Sequence, residues 1–190
     1  MIWGSVVTTP SSTSLLSTAD AKALCLRSMD IMVDGSPADF EAVVHPDAVN
    51  HEAKDEPPAS RGRGPAAFHA TALWLRETFA DLAFQVHQVV ADGDLVAVHN
   101  TMSGRHVGPA VTYDAEGRVR QAFPPTGRTF ATTQTHWFRL RDGKVVEHWA
   151  NRDDLGTATQ LGWVPPTPAY LLRTALATRR ARRGVAPAGG

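Results

Sequence analysis

The stretch RTFATTQTHWFRLRDGKVVEHWAN, residues 128–151, alternates polar and apolar side chains on both sides of Asp142-Gly143. Alternation with a period of two marks half-buried strands, and Asp-Gly supplies the positive φ of a tight hairpin turn. With Asp142 and Gly143 as the loop, Arg141 faces Lys144, and the turn sets every later pair. Phe138 then faces Glu147, His136 faces Trp149, Gln134 faces Asn151 and Thr132 faces Asp153. Facing residues share one side of a sheet. One face is therefore predicted to carry Thr132, Gln134, His136, Phe138, Glu147, Trp149, Asn151 and Asp153. The other would carry Thr133, Thr135, Trp137, Arg139, Val146 and His148. The first face is ordinary if solvated. Covered by helices, it lines a pocket with two aromatic rings and a few convergent polar groups.

Moving outward, residues Phe84 to Ala91 and Leu95 to Ser103 flank Asp92-Gly93-Asp94, a second hairpin of the same kind. Val111 to Phe123 surrounds Asp114-Ala115-Glu116-Gly117 and predicts a small projecting hairpin. Before Asp81 the period is that of helices. One begins at Thr18 with Asp20 in its first turn, carries Ala21, Leu24, Met29, Met32 and Val33, and ends at Gly35. Ser36-Pro37 opens a second, through Phe40, Val43 and Val44, that Pro46 stops. An extended piece over Ala48 to Ala53 and the loop DEPPASRGRG lead to a third helix, about Pro65 to Ala80, with Phe68, Ala72, Leu75 and Phe79 on one stripe. Helices followed by a run of antiparallel strands indicate an α+β domain, its helices on one face of a curved sheet.

The chain has 190 residues, 43% hydrophobic and 20% charged, as one globular domain would. Its 19 basic and 19 acidic residues cancel, so overall charge argues for neither nucleic acid nor a membrane surface as partner. The cancellation hides an asymmetry: no Asp or Glu follows Trp163, while Arg173, Arg179, Arg180, Arg182 and Arg183 do. Residues 1–16 read as a disordered leader, 17–163 as the domain, and 164–190 as a Pro-punctuated, Arg-rich tail helix, solvated or paired with the acidic body. The N-terminus lacks the basic start and apolar run of a signal peptide, and one cysteine, Cys25, suits a reducing compartment, so a cytoplasmic location is expected. Cys25 reads as a small buried hydrophobe.

No phosphate-binding glycine loop, GxSxG, HExxH or CxxC is present. Eight histidines invite a metal, yet His45/His51 and His99/His106 fit no ligand spacing, so neither metal nor cofactor is expected.

Residues 135–163, THWFRLRDGKVVEHWANRDDLGTATQLGW, resemble the C-terminal signature of SnoaL-like polyketide cyclases: a DGK turn, then E-x-W-x-x-x-D and a closing QLG. Ser103-Gly104-Arg105-His106 with Gly108, Pro124-Pro125-Thr126-Gly127-Arg128, and Asn50-His51 resemble the family's upstream segments. The resemblance spans roughly residues 20–163 and is most specific in its last third. It implies a cone-shaped fold of the nuclear transport factor two type, a homodimer formed through the sheet, and a deep pocket between sheet and helices. It further implies intramolecular aldol closure of a polyketide by an aspartate acting as acid and base, without metal or organic cofactor. Asp153 is the matching position, with Asp154 one residue away. In such a pocket His136 and His106 would stabilise an enolate or donate to a carbonyl, and Gln134, Asn151 and Asn50 would orient oxygens. Trp149 and Phe138 would form walls, and His51 would complete the polar element or cap a strand end. His148 falls on the opposite face, with Trp137, and reads as packing or interface. Asp153 also suits the N-cap of the turn that follows. An insertion of about ten residues between Gly108 and Pro124 departs from the family pattern. The rival readings are epoxide hydrolysis or ketone isomerisation in the same pocket, or a non-catalytic module for a small apolar ligand.

Overall fold

The structure, a computed structural model, describes residues 16–184. The predicted leader lies outside them except for Leu16, which packs against the core. Helix α1 (Thr18–Asp34) is capped by Ser17, whose Oγ accepts from Asp20 N at 3.1 Å. Helix α2 (Pro37–Val43) has the full capping box, Ser36 and Asp39 each holding the other's backbone N–H. Pro46 does not end it. The chain turns extended at Val44, and β1 (Val44–Asn50) runs through Pro46, tolerated because β1 is an edge strand. Helix α3 covers Gly64–Thr78.

Four long strands follow the predicted hairpins: β2 (Phe79–Asp92), β3 (Leu95–His106), β6 (Thr129–Arg141) and β7 (Lys144–Arg152). Between them β4 (Ala110–Tyr113) and β5 (Val119–Phe123) form the projecting ribbon. The main sheet has the order β1-β7-β6-β3-β2 and is antiparallel except at β1/β7, which is parallel. Irregular pairing of β2 at Ala80/Ala83, where Asp81 has φ 56°, and at Val86/Gln88 curves the sheet. Its concave face takes α1 and α3, burying Cys25, Ile31, Phe40, Phe68, Val96, Val98, Phe138 and Val145 at 5% exposure or less. Each larger member contributes roughly 1.5–3 kcal/mol by leaving water. Burial also pushes the Cys25 thiol up to about 12, so it is the inert hydrophobe expected.

The central hairpin contains the decisive irregularity. Asp142 and Gly143 have φ 52° and 72°, and Arg141 pairs with Lys144 as read. Leu140 pairs with Val145, but Arg139 pairs with Glu147, Phe138 with His148, Trp137 with Trp149 and His136 with Ala150. Val146 is the extra residue of a bulge, and beyond it the predicted partners slip by one. The face assignment of β7 is thereby corrected: His148 and Arg152 join Gln134, His136 and Phe138 inside. Glu147, Trp149 and Asn151 lie outside. The outer side holds the Trp137–Trp149 stack at 6.5 Å and the Trp137 Nε1–Asn151 Oδ1 bond of 3.0 Å. Solvation explains the slip. Without the bulge an ionised Glu147 would sit against the apolar concave face, whereas a neutral imidazole costs far less to bury.

After β7 come α4 (Asp154–Gln160) and α5 (Pro168–Gly184). Among the described residues of the tail, α5 packs on β5 and none of its arginines pairs with an acidic group. Arg182 donates to the carbonyls of Val119 and Arg120 at 3.0 and 2.9 Å, and Thr178 Oγ1 accepts from Ala122 N at 2.9 Å. Backbone carbonyls at an open strand edge are stronger claimants on a guanidinium than distant carboxylates. Among the described residues no helix is long and apolar enough to cross a membrane.

Candidate active site

Between the concave face and α1 and α3 lies a cavity of about 210 Å³. Its walls are apolar: Met29 and Met32 from α1, Phe68, Trp74 and Leu75 from α3, Phe79 and Phe84 from β2, then Met102, Phe130, Phe138 and Trp163. One end is polar. There Asn50 ends β1, Gln134 and His136 project from β6, and His148 and Arg152 project from β7.

These groups form a chain of close polar contacts. Asn50 Oδ1 lies 2.9 Å from His148 Nδ1, His148 Nε2 lies 2.9 Å from His136 Nδ1, and His136 Nε2 lies 2.9 Å from Gln134 Oε1. Glu52 N–H also donates to Asn50 Oδ1 at 3.1 Å, which fixes that atom as the oxygen. His148 Nδ1 therefore donates, its Nε2 accepts, and His136 Nδ1 donates to it. In a neutral pair this leaves His136 Nε2 as the single basic nitrogen. The pair is neutral near pH 7. Desolvation, with Arg152 adding repulsion, lowers His136 to about 4. Desolvation, then the charges of His136, Arg152 and His51, hold His148 well below the usual imidazole value. A third proton would complete the chain, because Gln134 Oε1 faces a lone pair in the neutral state and an N–H in the protonated one.

Three carboxyl groups stand at the same end. Glu52 Oε1 accepts from Ala150 N at 3.2 Å and its Oε2 lies 3.5 Å from Arg152, which also approaches Asp154 at 3.4 Å. Glu56 is 5% exposed and takes a hydrogen bond from Thr71 Oγ1. Desolvation raises its pKa above the ordinary glutamate value despite Thr71 and Arg152.

Of the residues proposed from sequence, the structure brings Asn50, Gln134, His136, Phe138 and, at the rim, the alternative Asp154 to the cavity. It does not bring Asp153, Trp149, Asn151, His51 or His106 there. Asp153 is exposed and caps α4, Oδ1 accepting from Gly156 N at 2.7 Å. Its outward turn follows from the bulge and from the cap, the alternative role its position allowed. His51 is half exposed and lies 3.6 Å from Glu147 on the outer side. His106 is fully buried behind the wall, with Phe79 and Trp163 packed against its ring, and desolvation lowers it to about 4. Among the described residues no group of three or more His, Cys, Asp or Glu could hold a metal ion.

Residues 23–161 match the family described as SnoaL-like polyketide cyclase. The chain belongs to that family. It is 33% identical over 146 residues to the aklanonic acid methyl ester cyclase DnrD of Streptomyces peucetius, covering 76% of this chain and 92% of that one. It is 32% identical over 129 residues to the nogalonic acid methyl ester cyclase of Streptomyces nogalater, covering 67% and 87%. Among solved structures, TsrD from Streptomyces laurentii superposes with a TM-score of 0.62 at 26% identity, covering 77% of this chain and 98% of TsrD. The fold of this SnoaL-like chain is thus of the nuclear transport factor two type.

Sequence reasoning missed His148, Arg152, Glu52 and Glu56. The bulge hid the first two. The glutamates sit in the loop read as a connection, where the Asn50 amide turns the chain and two short 3-10 turns, Ala53–Asp55 and Pro58–Arg61, fold it back over the cavity. The signal was there: Asn50-His51-Glu52 follows an extended run, and Asn side chains that bond two residues on make such turns.

Proposed function

We propose that this protein is a polyketide cyclase that closes a ring by intramolecular aldol addition, with His136 as the base. Support comes from the family, from its cyclase relatives, and from one observation above all: a neutral imidazole pair with one basic nitrogen, at the polar end of an apolar cavity. The substrate class follows the relatives, an aromatic polyketide methyl ester of the aklanonic or nogalonic acid type. A methylene between two carbonyls is already acidic, so a modest base suffices. The Gln134 amide, 2.9 Å from Nε2, first swings off the lone pair; the C–H proton then passes to His136 Nε2, and the imidazolium is matched by the returning Gln134 Oε1, by His148 Nε2 and by Asn50 Oδ1. Arg152, which weakens the base at rest, faces the negative enolate oxygen in the transition state. The enolate carbon attacks the ketone, a C–C bond forms, and a proton returns to the new alkoxide. Substrate and product are isomers, so the balance needs no oxidant, reductant or cofactor. Asp153 takes no part in this route. The outer Trp137–Trp149 face is where two copies would pair, and a cytoplasmic location suits the substrate.

The test is incubation of the protein with aklanonic and nogalonic acid methyl esters, followed by chromatography with mass detection. The expected outcome is a product of unchanged mass and new retention, with kcat of His136→Gln reduced by about 10²–10⁴-fold. Wild-type protein that binds both esters and converts neither would replace the cyclase with the binding module.

A further inference from the structure

An aldol closure needs a proton at the acceptor carbonyl as well as a base at the carbon acid, and a donor separate from His136 spares one imidazole from serving both ends of the ring being closed. The donor must lie in the cavity, carry a proton, and present an oxygen or nitrogen that the protein does not already occupy. Arg152 carries no transferable proton at neutral pH, and its charge is shared between Glu52 and Asp154. The Asp154 side chain is 75% exposed at the rim, and Glu52 is bound to Arg152 and to the Ala150 amide. Thr71 is committed to Glu56.

Glu56 differs from all of these. It lines the cavity with only 5% of its surface exposed, at the start of the turn that folds back after β1. Thr71, one helical turn beyond Phe68 on α3, donates to Oε2. Oε1 accepts no hydrogen bond from a described side chain, while the buried Ser60 hydroxyl stands against the same carboxyl and, like Thr71, favours its ionised form. Arg61 holds the residue from behind, Nε donating to the Glu56 carbonyl at 3.0 Å. The charges facing its carboxyl are Arg152 from β7, which favours ionisation, and Glu52, which opposes it; the wall on the α3 side is neutral.

Resting on the aldol reading, we infer that Glu56 enters the cycle as a neutral carboxylic acid whose Oε1–H donates to the acceptor carbonyl of the bound ligand. It protonates the alkoxide as the C–C bond forms. The step balances: His136 Nε2 gains the carbon-bound proton, Glu56 loses one to the product hydroxyl, and transfer of a proton from the imidazolium to the carboxylate restores both. Burial raises the proton affinity of this carboxyl, in keeping with the role. It also gives the pH dependence its sign. Binding and turnover are full while Glu56 is protonated and fall as pH rises through its titration.

The experiment compares wild type, Glu56→Gln and Thr71→Ser, measuring binding of aklanonic acid methyl ester by quenching of tryptophan fluorescence and turnover by chromatography, both from pH 5 to 9. Circular dichroism and thermal melting establish that each variant folds. Gln is isosteric, neutral and able to donate a hydrogen bond, but it gives up no proton. Expected for Glu56→Gln is ester affinity within about threefold of wild type and independent of pH, with kcat lower by about 10²-fold or more. Thr71→Ser keeps the hydroxyl and should keep the wild-type pH profile. Wild-type affinity that does not fall at high pH, or a Glu56→Gln enzyme with unchanged kcat, overturns the proposal. If wild type binds the ester without converting it, the cyclase reading fails, while the pH dependence of binding still decides whether Glu56 is a neutral donor.

Discussion

At residue scale, Asp153 shows how a position can match a family's acid while its side chain does other work. Its Oδ1 holds the amide of Gly156, and a Cβ added at Gly156 would meet Asp153 Oδ2 at 2.1 Å, so cap and glycine fit each other. Losing such a cap costs about 1 kcal/mol. Asp153→Ala should therefore lower the unfolding free energy in urea titration by that much, while Asp153→Asn, which still accepts a bond, keeps cyclisation within about threefold of wild type. A loss of turnover in Asp153→Asn with stability intact would return the acid/base role to this residue. His148 carries the opposite lesson. A residue read as packing is half of the imidazole pair, because one bulge moved it indoors.

Among elements, α5 is the addition that matters most, since it converts an open two-stranded ribbon into a covered one. A lone hairpin is marginal in water, and β4/β5 has no third strand. Tyr170 supplies the contact: it is 8% exposed and its hydroxyl donates to the Pro124 carbonyl at 3.1 Å. Tyr170→Ala should cost about 3 kcal/mol, read as a fall in urea midpoint, whereas Arg183→Ala, exposed near the end of α5, should stay within about 0.5 kcal/mol. Equal effects would mean that α5 is held by charge rather than by packing. The ribbon itself was legible, as Asp114-Ala115-Glu116-Gly117 is turn chemistry between strand-like runs. Its covering was not, since the partners of Arg182 are carbonyls, which every residue has.

Across the whole molecule, a domain that buries neutral histidines must lose stability in acid. His136 titrates at about 4 in the fold against an ordinary value of 6.5, so between these the unfolded chain binds more protons than the folded one. The stabilisation is complete above about pH 6.5 and disappears as pH falls toward 4, on the order of 3 kcal/mol for this group. Urea unfolding at pH 7.5 and 4.5 should show that loss, and His136→Gln should flatten it. His106, lowered for the same reason, will leave part of the slope in the variant. A wild-type curve that is flat over this range would mean that the imidazoles take up protons as readily inside the fold as in the unfolded chain.

The element order, the two hairpin turns, the ribbon and the family were all readable from local chemistry: period, Asp-Gly turns, the Ser36 cap and a motif near the C-terminal end. Such features depend on residues a few positions apart, and backbone sterics settle them in any context. The contents of the cavity were not local. One extra residue at Val146 reverses which side of β7 faces inward, and a turn after Asn50 carries two glutamates over a sheet whose nearest strand lies almost a hundred residues further along. Which groups are desolvated together depends on how helices cover a curved sheet, and no run of neighbouring residues contains that information.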